Sequence, residues 1–331
     1  MIIAEEKRVT KVVSTAKGTF IKDFFKVLTN LKFIFFLRKI PRKLEDFQLI
    51  TEKDRSIRRF MRRSKSFIFV IGIILVFIVV NMAVFQHWIS SYEKATQTQL
   101  GPWAPPSSQH PLGTTWGGLD VLARIVFGAR FTLIIILSST LISAIAGTII
   151  GLISAYYGGW FDMLVMRIMD IILSFPGVVF AILFLLIWGR SIEYIILAFG
   201  IIGIPTFSRI IRTFTLKQKE LPYIQAAKVI GARNRRIMFR HILPNCYQPI
   251  LVSASFNVGK VLLGYTVLAF LGISRLSWVD WGGDVIYTIN QLYRAPWASF
   301  WPMIMIIATI MGFLFIGDGL RDAFALKTEQ I

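Results

Sequence analysis

The chain holds one cysteine, Cys246, and three histidines among 331 residues. It carries 18 acidic residues against 37 basic ones. A single cysteine excludes an intrachain disulfide framework and a cysteine-cluster metal site. His87, His110 and His241 are far apart and share no metal-ligand spacing. No glycine-rich phosphate loop closing on Gly-Lys-Ser/Thr occurs, so no ATPase site is expected on this chain. No grouping of Ser, His and Asp points to hydrolysis inside the membrane. The first long apolar run begins near Phe67, too late for a cleavable signal peptide, and is expected to act as an uncleaved anchor. Low-complexity tracts are absent, as is an internal repeat of the inverted-repeat transporter kind.

What is present is apolar. Hydrophobic residues make up 55% of the chain and the mean hydropathy is +0.64. The excess gathers into runs of the roughly 20 residues that a helix needs to cross a bilayer. A net charge of +19 raises the possibility of nucleic acid. The basic residues, however, sit at the ends of the apolar runs, where the positive-inside rule puts them. An all-α polytopic membrane protein with six transmembrane helices follows, because backbone in lipid must satisfy its own hydrogen bonds. The expected spans are Phe67–Phe85, Phe131–Ala155, Met163–Trp188, Ile192–Ile211, Cys246–Leu271 and Ala298–Ile316. Pro176 is expected to kink the third.

Charge sets the expected orientation. Residues 1–65 form a basic segment, with Phe20, Phe24, Leu28, Leu31 and Phe35 at helical spacing among lysines, up to Pro41. That pattern predicts an amphipathic helix on the headgroup plane or packed on the protein itself. Residues 66–130 hold the first span and a proline- and tryptophan-bearing external loop. Residues 131–323 form the remaining core, and 324–331 a short tail. The connection 212–243 carries Arg212, Lys217, Lys219, Lys228, Arg233, Arg235, Arg236 and Arg240 against Glu220 alone. It is therefore expected in the cytoplasm, together with both termini.

That connection is the most ordered polar stretch. Pro222 suits a first helical turn. Gln225, Ala226 and Ala227 follow, and the two alanines let another surface approach closely. Gly231 suits the turn out of that helix. A second helix from Arg233 to Ile242 is predicted, closing on Leu243-Pro244-Asn245. Residues 221–245 thus form a helix–turn–helix peg beneath the membrane.

Gln225-Ala226-Ala227, Gly231 and His241-Ile242-Leu243-Pro244-Asn245 resemble the coupling (EAA) loop of ABC importer permeases. Gln225 stands where that pattern has an acid. His110-Pro111-Leu112-Gly113-Thr114, Asp120, Arg124, Tyr157-Gly158-Gly159-Trp160-Phe161-Asp162, Trp281-Gly282 and Gly317-Asp318-Gly319-Leu320-Arg321-Asp322 are similar to segments of the dipeptide and oligopeptide branch, C-type subunit. Thr115, Leu119 and Tyr265 depart from that branch, which more often has Asp, Arg and Glu there.

The resemblance covers about residues 65–323 and implies a type I ABC importer permease fold in a bacterial cell membrane. It implies a heterodimer with a homologous permease, two cytoplasmic ATPases and an extracytoplasmic binding protein. ATP and magnesium would sit on the ATPases, with no cofactor on this chain. The coupling surface would be Gln225, Ala226, Ala227, Gly231, Ala232, His241, Leu243, Pro244 and Asn245. Peptides are the implied substrate; nickel, glutathione or another small solute is the alternative within the family. A self-contained secondary transporter is a further alternative, although Arg167, Asp170, Glu193, Arg209 and Lys260 make a poor proton relay.

Three charged groups near or within the spans carry separate expectations. Arg167 and Asp170 are three apart and can pair on one helix face. Lys260 falls mid-span and is expected to line a water-filled path or to meet an acid from a partner subunit. Asp318 and Arg321 are expected to form a local cap and ion pair.

Overall fold

The computed structural model describes residues 67–98, 101–273 and 278–325. The expected amphipathic helix at the N terminus and the tail from 326 onward lie outside them. Among the described residues all regular structure is helical, apart from one isolated bridge between Thr114 and Asp120. In chain order the helices are α1 (Phe67–Val84), α2 (Gln86–Ile89), α3 (Tyr92–Thr96), α4 (Val121–Tyr157), α5 (Gly159–Ser174), α6 (Gly177–Trp188) and α7 (Ile192–Gln218). There follow α8 (Pro222–Val229), α9 (Asn234–Arg236), α10 (Tyr247–Phe270), α11 (Trp281–Ile289) and α12 (Pro296–Ala325).

Five of these are long and apolar enough to cross a membrane, and α5 with α6 makes a sixth span if the pair is counted as one. The pair bends by 90° at Phe175-Pro176, a full break where the sequence predicted a kink. Phe175 is extended, as expected of a residue that precedes proline.

The packing of α4 on α7 decides how the pair is to be counted. Ser143 donates its hydroxyl to the Gly200 carbonyl at 2.7 Å. A side chain at Gly147 would sit 2.6 Å from both the Ile204 carbonyl oxygen and the Phe207 Cβ. One at Gly151 would strike the Ser208 carbonyl. The contacts advance together along both chains, so α4 and α7 run parallel. Small residues allow this close approach, the usual basis of helix association in lipid. Two parallel spans require the chain to return between them, and α5–α6 is that return. The described residues therefore make six crossings.

The remaining helices alternate. In α10 and α7, Gly264 lies against Phe199 while Asn257 lies near Gly203. In α12 and α10, Gly317 meets Ser255 and Ile310 meets Gly259. In α1 and α12, Phe69 meets Gly319 and Val76 meets Gly312. Both pairings with α12 and the α7–α10 pairing are antiparallel. The start of α1, the end of α12 and the connection between α7 and α10 thus share one end of the bundle. A ring contact between Tyr247 and Phe324 closes that end.

The opposite end is a cap built from α2, α3, the 101–120 connection and α11. Asp120 accepts a hydrogen bond from Ala123 N at 2.7 Å, which starts α4 ten residues before the expected span. The same carboxylate meets His110 Nδ1 at 2.6 Å. Arg124 donates to Asp284 at 2.5 Å and to the carbonyls of Ala95 and Trp278. Trp281, almost fully buried, donates to the Ile125 carbonyl. A hydropathy reading assigns residues 121–130 to the loop because Arg124 and Arg130 interrupt the apolar run. Burial of Arg124 with a partner acid removes that objection.

Candidate functional site

The polar connection between α7 and α10 folds on its own small core. Leu221 caps α8 in an extended conformation and Pro222 occupies its first turn. Ile224 and Ala227 face inward, while Gln225 and Ala226 are exposed. The helix closes through two backbone bonds, Gly231 N to Lys228 O at 3.0 Å and Ala232 N to Ala227 O at 3.0 Å. This is the Schellman arrangement, and Gly231 takes the positive φ of +76° that it requires. Arg233 is extended and leads into α9. The chain continues with π-type spacing over Ile237–Ile242 and a 3₁₀ turn over Leu243–Asn245. The predicted second helix is therefore present, but wound wider than an α-helix through most of its length.

Ile224, Ala227, Ile237, Met238, Ile242 and Cys246 pack with Leu152 of α4 and Ile211 of α7. Ala232 and Leu243 pack against the same cluster. Polar contacts add to it. Tyr156 donates its hydroxyl to Asn234 at 2.9 Å, and Lys219 donates to the Ala155 carbonyl at 3.2 Å. Asn245 donates to the Tyr223 hydroxyl at 3.1 Å and to the His241 carbonyl at 2.8 Å, joining the two ends of the connection. Burial pushes the Tyr223 phenol above its ordinary value, with the Asn245 bond opposing. Gln225 donates its amide to the Lys219 carbonyl at 3.1 Å, closing the end of α7. A carboxylate cannot donate this bond, which gives a local reason for an amide where the resembling pattern has an acid.

The surface so formed has a definite character. Val229 and Ile230 project at the tip, 86% and 83% exposed. Beside them Ala227, Gly231, Ala232, Arg233, Arg236 and His241 line a concavity of about 540 Å³. Pro244 and Asn245 lie exposed at its far edge, next to the start of α10. All nine expected coupling residues thus belong to one folded unit. Val229 and Ile230, its most exposed apolar side chains, were not singled out from the sequence. Two adjacent apolar residues following Lys228 read as helix interior, and only the glycine turn leaves them at the tip.

Beneath the peg lies a brace that local sequence spacing does not reveal. Arg212 of α7 grips Asp162 of α5 in a fork, Nε at 2.9 Å and Nη2 at 2.6 Å. Ser154 of α4 donates to the same carboxylate. One acid therefore ties α4, α5 and α7 together directly under the peg. A second pair, Arg209 with Asp170 at 2.5 Å, crosses between α5 and α7 nearer the middle. This corrects the expected pairing of Asp170 with Arg167: the partner comes from the neighbouring helix, where it stands opposite. Asp318 and Arg321 likewise do not pair among the described residues; α12 continues through both to Ala325 and each is exposed.

Lys260 lies 13 residues along the 24-residue α10, halfway through its span. It lines a cleft of about 310 Å³ between α7, α10 and α12. This is separate from the peg.

Comparison with known proteins agrees with this architecture. Residues 147–330 match the family model described as binding-protein-dependent transport system inner membrane component. A dipeptide transport system permease protein of Alkalihalophilus pseudofirmus is 36% identical over 82% of this chain and 90% of its own length. A putative peptide transport system permease protein of Brucella suis is 37% identical over 82% and 92%. A glutathione transport system permease protein of Pectobacterium atrosepticum is 36% identical over 68% and 75%. The chain belongs to the binding-protein-dependent transport system inner membrane components, the membrane-spanning permeases of bacterial ABC transporters.

Proposed function

We propose that this permease carries peptides inward across the bacterial inner membrane, driven by ATPases that grip the peg at residues 221–245. The observation that carries the reading is the peg itself. A solvent-facing helix–glycine–helix unit with its own core, an apolar tip and a basic flank is an apparatus for receiving another protein. Its fastening to α4, α7 and α10 means that a push on the tip reaches three spans together. Type I permeases use such a displacement to exchange inward-open and outward-open packings.

In this reading a homologous permease stands beside this chain, two ATPases below it and an extracytoplasmic binding protein above the α11 cap. ATP and magnesium stay on the ATPases, since this chain has no phosphate loop. Lys260 and its cleft line the path. The names of the peptide and dipeptide permeases favour peptides as cargo, and the glutathione permease extends the range to a modified tripeptide.

The test is co-purification with the two partner ATPases. The intact chain is expected to retain both. Val229→Asp with Ile230→Asp places charge on the apolar tip and is expected to release them, while leaving the level of inserted permease unchanged. Retention of the ATPases by this double variant at wild-type stoichiometry would sink the reading.

A further inference from the structure

We propose that Lys260 is a binding group for the carboxylate of the transported solute, which makes the mid-span cleft selective for acids such as peptides with a free C terminus. The inference rests on the importer reading given above and deepens it. An ammonium halfway along a span is costly in lipid and is kept where it meets water or a counter-charge. Among the described residues no acid lies within ion-pair distance of it. The nearer end of α10, at Phe270, is about 15 Å away at 1.5 Å per residue, so the side chain cannot reach an aqueous interface by stretching.

Its surroundings are those of a ligand site. Thr206, Ser253 and Asn257 supply polar groups, and Phe256 and Leu263 supply apolar wall. Asn257 is held in place by its bond to Thr140 of α4 at 3.2 Å. The volume of about 310 Å³ stands at the small end of the range for ligand pockets, roughly 300–1,000 Å³. One cation among neutral donors complements a single carboxylate. Among the described residues no second cation lines the cleft to favour a doubly charged phosphate. A peptide C terminus fits this chemistry, and its amine end would point away along the path.

The single native cysteine permits a chemical test. Lys260→Cys is made in the full permease and expressed with its ATPases and binding protein. Uptake is measured with a mixture of two- to five-residue peptides lacking acidic side chains, plus glutathione. Glutathione apart, which has a second carboxylate, the C-terminal carboxylate is the sole anion of these peptides. Uptake should fall about tenfold, the size of one lost charge-assisted contact. Aminoethyl methanethiosulfonate, which rebuilds a cation at residue 260, should restore most of it. The sulfonatoethyl reagent should not. Lys260→Arg should keep most of the uptake.

Four results overturn the proposal. Lys260→Cys transports normally. Both reagents rescue alike, so that size and not charge matters. Neither reagent reacts, so that the site is dry. Or the variant loses the partner permease, so that the charge serves a subunit contact. If the wild-type complex takes up none of the mixture, the importer reading itself has failed, an outcome distinct from these four.

Discussion

Cys246 shows how burial at one residue governs reactivity. It begins the turn into α10, is fully buried in the core of the peg, and has its thiol pushed up to about 11 by burial. A thiol reacts through its thiolate. At pH 8 only about one molecule in a thousand would carry it. The folded permease is therefore expected to resist maleimide at pH 8 and to label fully after unfolding in detergent. Raising the pH to 10 should increase the folded-state rate by up to about a hundredfold, since the thiolate fraction grows tenfold per unit below the pKa. Rapid labelling of the native protein at pH 8 would show that the peg core is open. The same inertness leaves a cysteine placed at residue 260 as the reactive group. Gln225 makes a related point at this scale. Its identity looks like a departure when read as a pattern, yet the amide is needed for the bond it donates to Lys219.

At the scale of elements, the peg depends on one backbone geometry. Gly231 has φ +76° with open space where a Cβ would stand. Replacement therefore costs conformational energy and causes no clash, about 1–2 kcal/mol for an ordinary side chain. Asn tolerates the left-handed region better than other residues. Gly231→Asn is expected to keep near-normal uptake. Gly231→Val should misplace Val229 and Ile230 and cut ATP-driven uptake several-fold, with the inserted level maintained. Equal uptake by the two variants would show that the angle of the turn does not matter.

This turn was legible in the sequence because a Schellman glycine is a local signal, as are the proline that opens α8 and the lengths of the apolar runs. The brace was not. Asp162 and Arg212 are 50 residues apart, and each reads alone as an ordinary charge at a membrane edge. Asp170 pointed to Arg167 by spacing but found Arg209 through packing. Likewise α7 runs seven residues beyond the expected end at Ile211. Arg212 and Lys217 look like loop in a hydropathy reading, yet they continue a helix that projects from the apolar layer toward the peg.

At the scale of the whole molecule, the parallel packing of α4 and α7 constrains topology more tightly than charge alone. If α5 and α6 dipped into the membrane and came back, α7 would start where α4 ended and the two would run antiparallel. Ser143 would then not meet Gly200 while Gly151 meets Ser208. With α5–α6 as a full crossing, Phe67, Ala325 and the peg stand at one end, and the 101–120 connection and α11 at the other. By the positive-inside rule the peg's excess of basic residues is expected to put its end in the cytoplasm. Single cysteines test this directly in whole cells with a membrane-impermeant thiol reagent. Ser107→Cys and Tyr293→Cys, both exposed on the cap, should label from outside. Lys228→Cys and Arg235→Cys, both exposed on the peg, should label only after the membrane is permeabilised. A re-entrant α5–α6 would instead put the peg on the same side as Ser107, and all but Tyr293 would then react from outside. That pattern would deny cytoplasmic ATPases access to the peg, and with it the mechanical coupling proposed for this chain.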